Sequence, residues 1–156
     1  MIDLNVRGAV QLTKPAVHDT MARGSGTILF TSSIAASMPD PFEAVYGASK
    51  MFLRWFGEAL RSEPKDKGVG VTVLMPGPTE TDFFHRAKMI DTKIGASNSK
   101  DDPAAVAEAA FAALQADSGR VVTGLKNKVM SAVTEALPDR AAAALHRGMP
   151  KPGSAD

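Results

Sequence analysis

Residues 27–50 read TILFTSSIAASMPDPFEAVYGASK, and this stretch decides the fold. It opens on a short apolar run, Thr27-Ile28-Leu29-Phe30-Thr31, without polar alternation. Such a run predicts a strand buried on both faces of a parallel sheet, and Gly24-Ser25-Gly26 before it predicts a turn. Ser32 and Ser33 stand at the strand's carboxyl end, where ligands bind in open α/β sheets. A loop bearing Pro39 and Pro41 follows, then a helical pattern over residues 42–62. Val45, Ala48, Phe52, Leu53, Phe56, Ala59 and Leu60 form its broad apolar face, with Trp55 to one side.

Near the start of that helix stand Tyr46 and Lys50, one turn apart on one face. A free phenol, with a pKa of about 10, is a poor proton donor or acceptor at neutral pH. A nearby ammonium favours phenolate and lowers that pKa, which suits acid–base chemistry on an alcohol or carbonyl. Ser33 can hold the reacting oxygen. The Tyr–Lys pair alone is equally a helix-start tyrosine packed on a lysine stem, so the chemical reading needs further features that agree.

Working outward, residues 1–23 predict a helix. Ile2, Val6, Val10, Leu12, Ala16, Val17 and Met21 recur near the helical period, and Pro15 is expected to bend it. Residues 65–70 predict a polar, Gly-bearing turn, and residues 71–75 a second buried strand. Pro76-Gly77-Pro78 ends that strand and leaves the backbone open to close approach by a ligand. Thr79 and Thr81 precede Asp82 in the manner of a helix cap. Residues 83–100 show no period; Phe83, Phe84 and Met89 are pocket candidates there. Asp102-Pro103 predicts a helix start with Asp102 as N-cap, and residues 120–124 a third strand. Residues 126–149 predict a helical tail broken at Pro138, whose basic side chains interleave with Glu135 and Asp139 as a solvated face.

Composition narrows the function classes. With 156 residues the chain is one compact domain, and a formal net charge of +1 argues against a dedicated nucleic-acid or membrane-surface protein. The absence of cysteine excludes disulfides and thiolate chemistry. His18, His85 and His146 show no ligand spacing, so no metal site is expected. No apolar run is long enough to span a bilayer, and a cytoplasmic location is the expectation.

Taken together, Ser33, Tyr46-Gly47-Ala48-Ser49-Lys50, Asn5-Val6-Arg7-Gly8 upstream and Pro76-Gly77-Pro78-Thr79-Glu80-Thr81 downstream closely resemble the short-chain dehydrogenase/reductase family. In that family the catalytic serine lies thirteen residues before the tyrosine, which selects Ser33 over Ser32. The resemblance implies an α/β fold, a partial Rossmann-type doubly wound parallel sheet made of its last three strands with flanking helices. It implies an NAD(P)-dependent oxidoreductase acting on a small alcohol or carbonyl substrate. The catalytic residues would be Asn5, Ser33, Tyr46 and Lys50, with Asn5 ordering a relay water. Tyr46, Lys50, Pro76, Gly77, Thr79 and Thr81 would bind NAD or NADP. It further implies a homo-oligomer formed through the helices that carry Asn5 and Tyr46.

The resemblance is to the carboxyl-terminal half of such enzymes. The Gly-rich turn that cradles the cofactor pyrophosphate is absent from these residues. The expected division is residues 1–124 as half a Rossmann domain, 125–149 as a helical extension and 150–156 as a disordered tail. The chain is therefore expected to be truncated and poorly active as it stands, with its first strand an unpaired edge. The alternative is a non-catalytic remnant that acts as an interaction module.

Overall fold

A computed structural model describes residues 1–63 and 67–155, so the turn expected at residues 65–70 lies partly outside the described residues. Three strands, β1 (Gly26–Thr31), β2 (Val69–Met75) and β3 (Arg120–Val122), form one parallel sheet in the order β1-β2-β3. β1 runs beside β2 from Gly26↔Val69 to Thr31↔Leu74, and β2 beside β3 from Val73↔Arg120 to Met75↔Val122. Parallel pairing needs a crossover, and α2 (Ala44–Ser62) and α5 (Pro103–Gln115) supply the two.

Strand alternation splits the core between the two faces. Phe30, Val71, Val73 and Met75 pack with Leu53 and Leu60 of α2, whereas Leu74 packs with Val106 and Ala110 of α5. Helices thus cover both faces, the doubly wound arrangement expected. β2, the middle strand, is buried almost throughout. Asp102 caps α5 as predicted, its carboxylate accepting from Ala104 N–H at 3.2 Å.

The amino-terminal helix differs in detail from its pattern. A π-helical turn over Asp3–Gly8 precedes α1 (Ala9–Arg23), which runs on through Pro15 and ends at Gly24 with φ 70°. The residues that α1 buries are Thr13 and Thr20, and their hydroxyls donate to the carbonyls of Ala9 and of Ala16 and Val17. Of the apolar residues that mark its period, Ile2, Val10, Leu12 and Met21 are exposed, and Leu12 is 73% so. α1 meets the sheet along Ala9 and Val17, so its second apolar side points outward. α2 behaves similarly: Leu53 and Leu60 are buried, but Val45 and Trp55 are exposed. β1 pairs only with β2 among the described residues, the open edge that was expected.

Beyond β2, the region without a period forms two one-turn helices, α3 (Phe83–Arg86) and α4 (Lys93–Ala96). After β3 come α6 (Leu125–Ala136) and α7 (Asp139–His146), parted at Pro138. Their acidic residues are not all solvated as expected. Glu135 lies 3.0 Å from the buried Arg54 guanidinium and 3.1 Å from that of Arg120, tying α6 to α2. The segment expected to be a disordered tail is hydrogen-bonded through residue 155. Gly153 N–H donates to the Asp91 carboxylate at 3.0 Å, and Ala155 N–H to the Asp91 carbonyl at 3.0 Å. Among the described residues, no helix is long and apolar enough to cross a membrane.

Candidate active site

The carboxyl ends of β1 and β2 open onto a cavity of about 610 Å³. Ser33, Tyr46, Lys50, Asn5 and residues 76–79 and 81 all line it, so the fold gathers the sequence-predicted residues around one space. A hydrogen bond from Ile34 N–H to the Pro76 carbonyl, 3.0 Å, ties the two strand ends together and fixes opposite walls.

Ser32 and Ser33 part company here. Ser32 is 2% exposed and donates to the Lys50 carbonyl at 2.7 Å, so it anchors α2 to the end of β1. Ser33 begins the 3-10 turn Ile34–Ser37, and its Oγ accepts from Ala35 N–H at 3.2 Å. It is also hydrogen-bonded to Tyr46.

The proton chemistry of Tyr46 and Lys50 differs from the expected direction. Burial pushes the Tyr46 phenol above its ordinary pKa; the Ser33 hydrogen bond opposes this, and the negative charges of Glu43 and Asp40 add to it. Burial likewise draws the Lys50 ammonium below its ordinary value. The physical reason is where Lys50 points. Its Nζ donates to the Thr31 carbonyl at 3.0 Å and stands 5.7 Å from the centroid of the Tyr46 ring. Desolvation therefore outweighs the attraction that the helical spacing suggests.

Asn5 reaches the site through a neighbour. From the π-helical turn its Nδ2 donates to Ser49 Oγ at 3.0 Å, and Ser49 donates on to the Tyr46 carbonyl at 2.8 Å. Irregular turns of this kind often mark functional positions.

On the opposite wall, what comes close to Gly77 is a side chain of the same chain. A Cβ built on Gly77 would sit 2.3 Å from Nδ2 of Asn127. Asn127, buried on α6, donates to the Asp101 carboxylate at 2.6 Å and to the Thr123 carbonyl at 2.8 Å. Thr79 Oγ1 donates to the Gly77 carbonyl at 3.0 Å, and Thr81 Oγ1 accepts from Phe83 N–H at 3.3 Å at the start of α3. Both threonine hydroxyls thus serve the local backbone while facing the cavity. Phe83, Phe84 and Ile94 also line it, and Met89 does not. The Phe83 ring lies 5.5 Å from that of Tyr46.

Sequence reasoning missed three residues. Glu43 and His146 line the cavity beside Tyr46, and Asp40 is buried behind them. Burial and the Asp40 charge raise the Glu43 carboxyl to about 7, with His146 opposing. Glu43 carried a weak signal, three residues before the tyrosine. His146 carried none, since only folding brings α7 back to this wall.

A nicotinamide dinucleotide fits part of this site. The space between Tyr46–Lys50 and residues 76–81 is bounded by polar groups of the kind that the nicotinamide and its ribose require. No glycine-rich strand–helix turn for the pyrophosphate occurs among the 156 residues.

Comparison with known proteins agrees. A family model described as short chain dehydrogenase matches residues 1–90. Sulfoacetaldehyde reductase of Chromohalobacter salexigens is 44% identical over 84 residues, 53% of this chain and 33% of that protein. Serine 3-dehydrogenase of Agrobacterium fabrum is 40% identical over 83 residues, again 53% and 33%. Among solved structures, a short chain dehydrogenase from Burkholderia cenocepacia in complex with NADP superposes with a TM-score of 0.75 at 23% identity. It covers 97% of this chain and 58% of that one. A 7beta-hydroxysteroid dehydrogenase gives 0.78 at 22%, covering 94% and 56%. The chain spans about a third of the length of the curated relatives it matches.

Proposed function

This chain belongs to the short-chain dehydrogenase family, and from that premise and the geometry above we propose that it carries the proton-transfer half of an NAD(P)-dependent alcohol/carbonyl oxidoreductase. One observation carries the reading: Ser33, Tyr46 and Lys50 converge on a single cavity at the carboxyl edge of the sheet, facing residues 76–81. When bound, the dinucleotide supplies or accepts the hydride.

The chain's own residues do the rest. Ser33 donates a hydrogen bond to the substrate oxygen. Tyr46, which burial keeps in its neutral phenol form, gives its proton to that oxygen in carbonyl reduction. Lys50 leaves the Thr31 carbonyl to hold the nicotinamide ribose, and its approach then lowers the Tyr46 pKa for the reverse reaction. Asn5 steadies the first turn of α2 through Ser49 and orders the relay water. Thr79 and Thr81 grip the nicotinamide end. Phe83, Phe84 and Ile94 give the substrate an apolar wall.

The division into residues 1–124, 125–149 and 150–156, the cytoplasmic setting and homo-oligomerisation through α1 and α2 belong to the same proposal. Exposed Leu12, Val45 and Trp55 on those helices support the last. We propose too that residues 1–156 alone bind the dinucleotide weakly and turn over poorly, because their sequence holds no glycine-rich turn for the pyrophosphate. The open edge of β1 favours a second reading, a non-catalytic interaction module.

The test is isotopic. The chain, extended upstream to the length of its relatives, is given a panel of ketones and aldehydes with NADH or NADPH deuterated at C4. Deuterium on the product's carbinol carbon is the expected result. No transfer from either cofactor across the panel would favour the interaction module.

A further inference from the structure

Asp40 and Glu43 stand at the two ends of a tight turn, closed by Glu43 N–H donating to the Asp40 carbonyl at 3.2 Å. Pro41 takes its second position, where a ring-fixed φ suits the turn. Phe42 takes the third with φ 70°, a left-handed conformation that type II turns normally give to glycine. Holding a non-glycine residue there strains the backbone. α7 returns to this turn from the far end of the sequence. The Arg147 guanidinium lies 5.7 Å from the Phe42 ring centroid, and His146 sits beside the carboxylates. One oxygen each from Asp40 and Glu43 and one ring nitrogen of His146 all lie within 4.8 Å of one another.

Asp40 is the anomaly in this group. Its side chain is 1% exposed, and Gly47 packs so closely on it that an added Cβ would sit 2.7 Å from the Asp40 Cβ. Neither carboxylate oxygen has a hydrogen-bond partner. His146 Nε2 comes within 3.0 Å of Oδ1, yet the pair lacks hydrogen-bond alignment. A buried polar group left without a donor is destabilising, and more so when charged. The Glu43 carboxylate alongside supplies no donor to it while ionised. A short nitrogen–oxygen approach with no proton aimed between the atoms is the geometry of neighbouring ligands on one cation. With metal–ligand bonds of about 2.0–2.2 Å, such ligands lie about 3–3.5 Å apart.

We infer that Asp40, Glu43 and His146 form a divalent-cation site with one imidazole and two carboxylate ligands. This donor set, a borderline nitrogen with hard oxygens, suits zinc or manganese better than calcium or magnesium. Glu43, half-buried at the edge of the cluster, brings the third ligand atom within 4.8 Å of the other two. Because Glu43 and His146 line the cavity, the open coordination position faces it. The ion braces α7 against the turn that precedes α2. The inference stands on this cluster alone and does not depend on the dehydrogenase reading.

The experiment uses the 156-residue chain stripped of metal with a chelator. Zn²⁺ is titrated in competition with a chromogenic chelator, and Co²⁺ is followed by its visible absorption. One ion per chain is expected, with affinity at least tenfold weaker in His146→Gln and in Glu43→Gln and an altered Co²⁺ spectrum in His146→Gln. Asp40→Asn should abolish binding; if it fails to fold by circular dichroism, the two cavity-lining variants carry the test. His85→Ala, at an exposed site beside Asp82, is expected to change nothing. Absence of a stoichiometric ion overturns the site. So does binding that survives both His146→Gln and Glu43→Gln, or that is lost only in His85→Ala.

Discussion

α1 and α6 both flank the sheet and α2, the helix that carries the candidate site, and they are held by different means. α6 is fastened by buried polar contacts: Arg54 bonded to the Ala36 carbonyl and paired with Glu135, Ser131 bonded to Ser37 at 2.7 Å, and Asn127 bridging Asp101 and Thr123. α1 rests on the sheet through Ala9 and Val17, with Asn5 of the turn before it hydrogen-bonded to Ser49, while Leu4 and Leu12 face outward. The polar side is geometrically specified and intolerant of change. The apolar side is under-buried and invites a further layer, whether a sheet neighbour or a second copy.

That contrast can be broken from either end. The largest effect is expected at Arg54, since removing its buried guanidinium strips the Ala36 carbonyl of its donor and leaves Glu58 and Glu135 to share Arg120 alone. Arg54→Ala should lose about 3–5 kcal/mol of stability, read as a drop in the urea midpoint. Asn127→Ala comes next, because Asp101 and the Thr123 carbonyl both lose a donor. About 1–3 kcal/mol is expected by the same measurement, and Gly77 should gain mobility in hydrogen exchange.

Acid should weaken the α6 side selectively. Burial alone would raise the Glu135 carboxyl, but Arg54, Arg120 and Ser131 bring it below its ordinary value. A carboxyl depressed in the folded state stabilises above its unfolded pKa, and that contribution fades as pH falls through the folded value. Glu135→Gln should therefore flatten the acid limb of a stability–pH curve and leave the neutral limb parallel to the parent. The smallest effect on folding is expected at Leu12. Leu12→Glu should change stability by less than about 0.5 kcal/mol, while lowering the associated fraction seen by light scattering.

The same contrast explains what the sequence made legible. Burial on both faces wrote β2 as an apolar run, and the Asp102-Pro103 cap was plain from local chemistry. β1 carries the same pattern but, as the edge strand, buries only Phe30 instead of both faces as expected. Ser33, Tyr46 and Lys50 were singled out by the family resemblance, since their spacing alone fits an ordinary strand exit and helix start, and the fold brings all three to one cavity. α1 misled because it has two apolar sides, and periodicity cannot say which one meets the sheet. Two further features depended on return contacts. Asn127 closing on Gly77, and His146 joining Asp40 and Glu43, need α6 and α7 folded back on the site. The direction of the Tyr46 shift was illegible for a related reason, since helical spacing places Lys50 nearby but does not show it turned to the Thr31 carbonyl.

The central claim is that Tyr46 moves the proton, and its most direct test compares turnover and cofactor affinity in Tyr46→Phe, made in a version extended upstream to the length of its relatives. Removing the hydroxyl while keeping the ring should cut turnover about 10²–10⁴-fold and leave cofactor affinity nearly unchanged. A Phe variant that keeps more than about a tenth of the parent turnover, far short of what an acid–base group contributes, would contradict it.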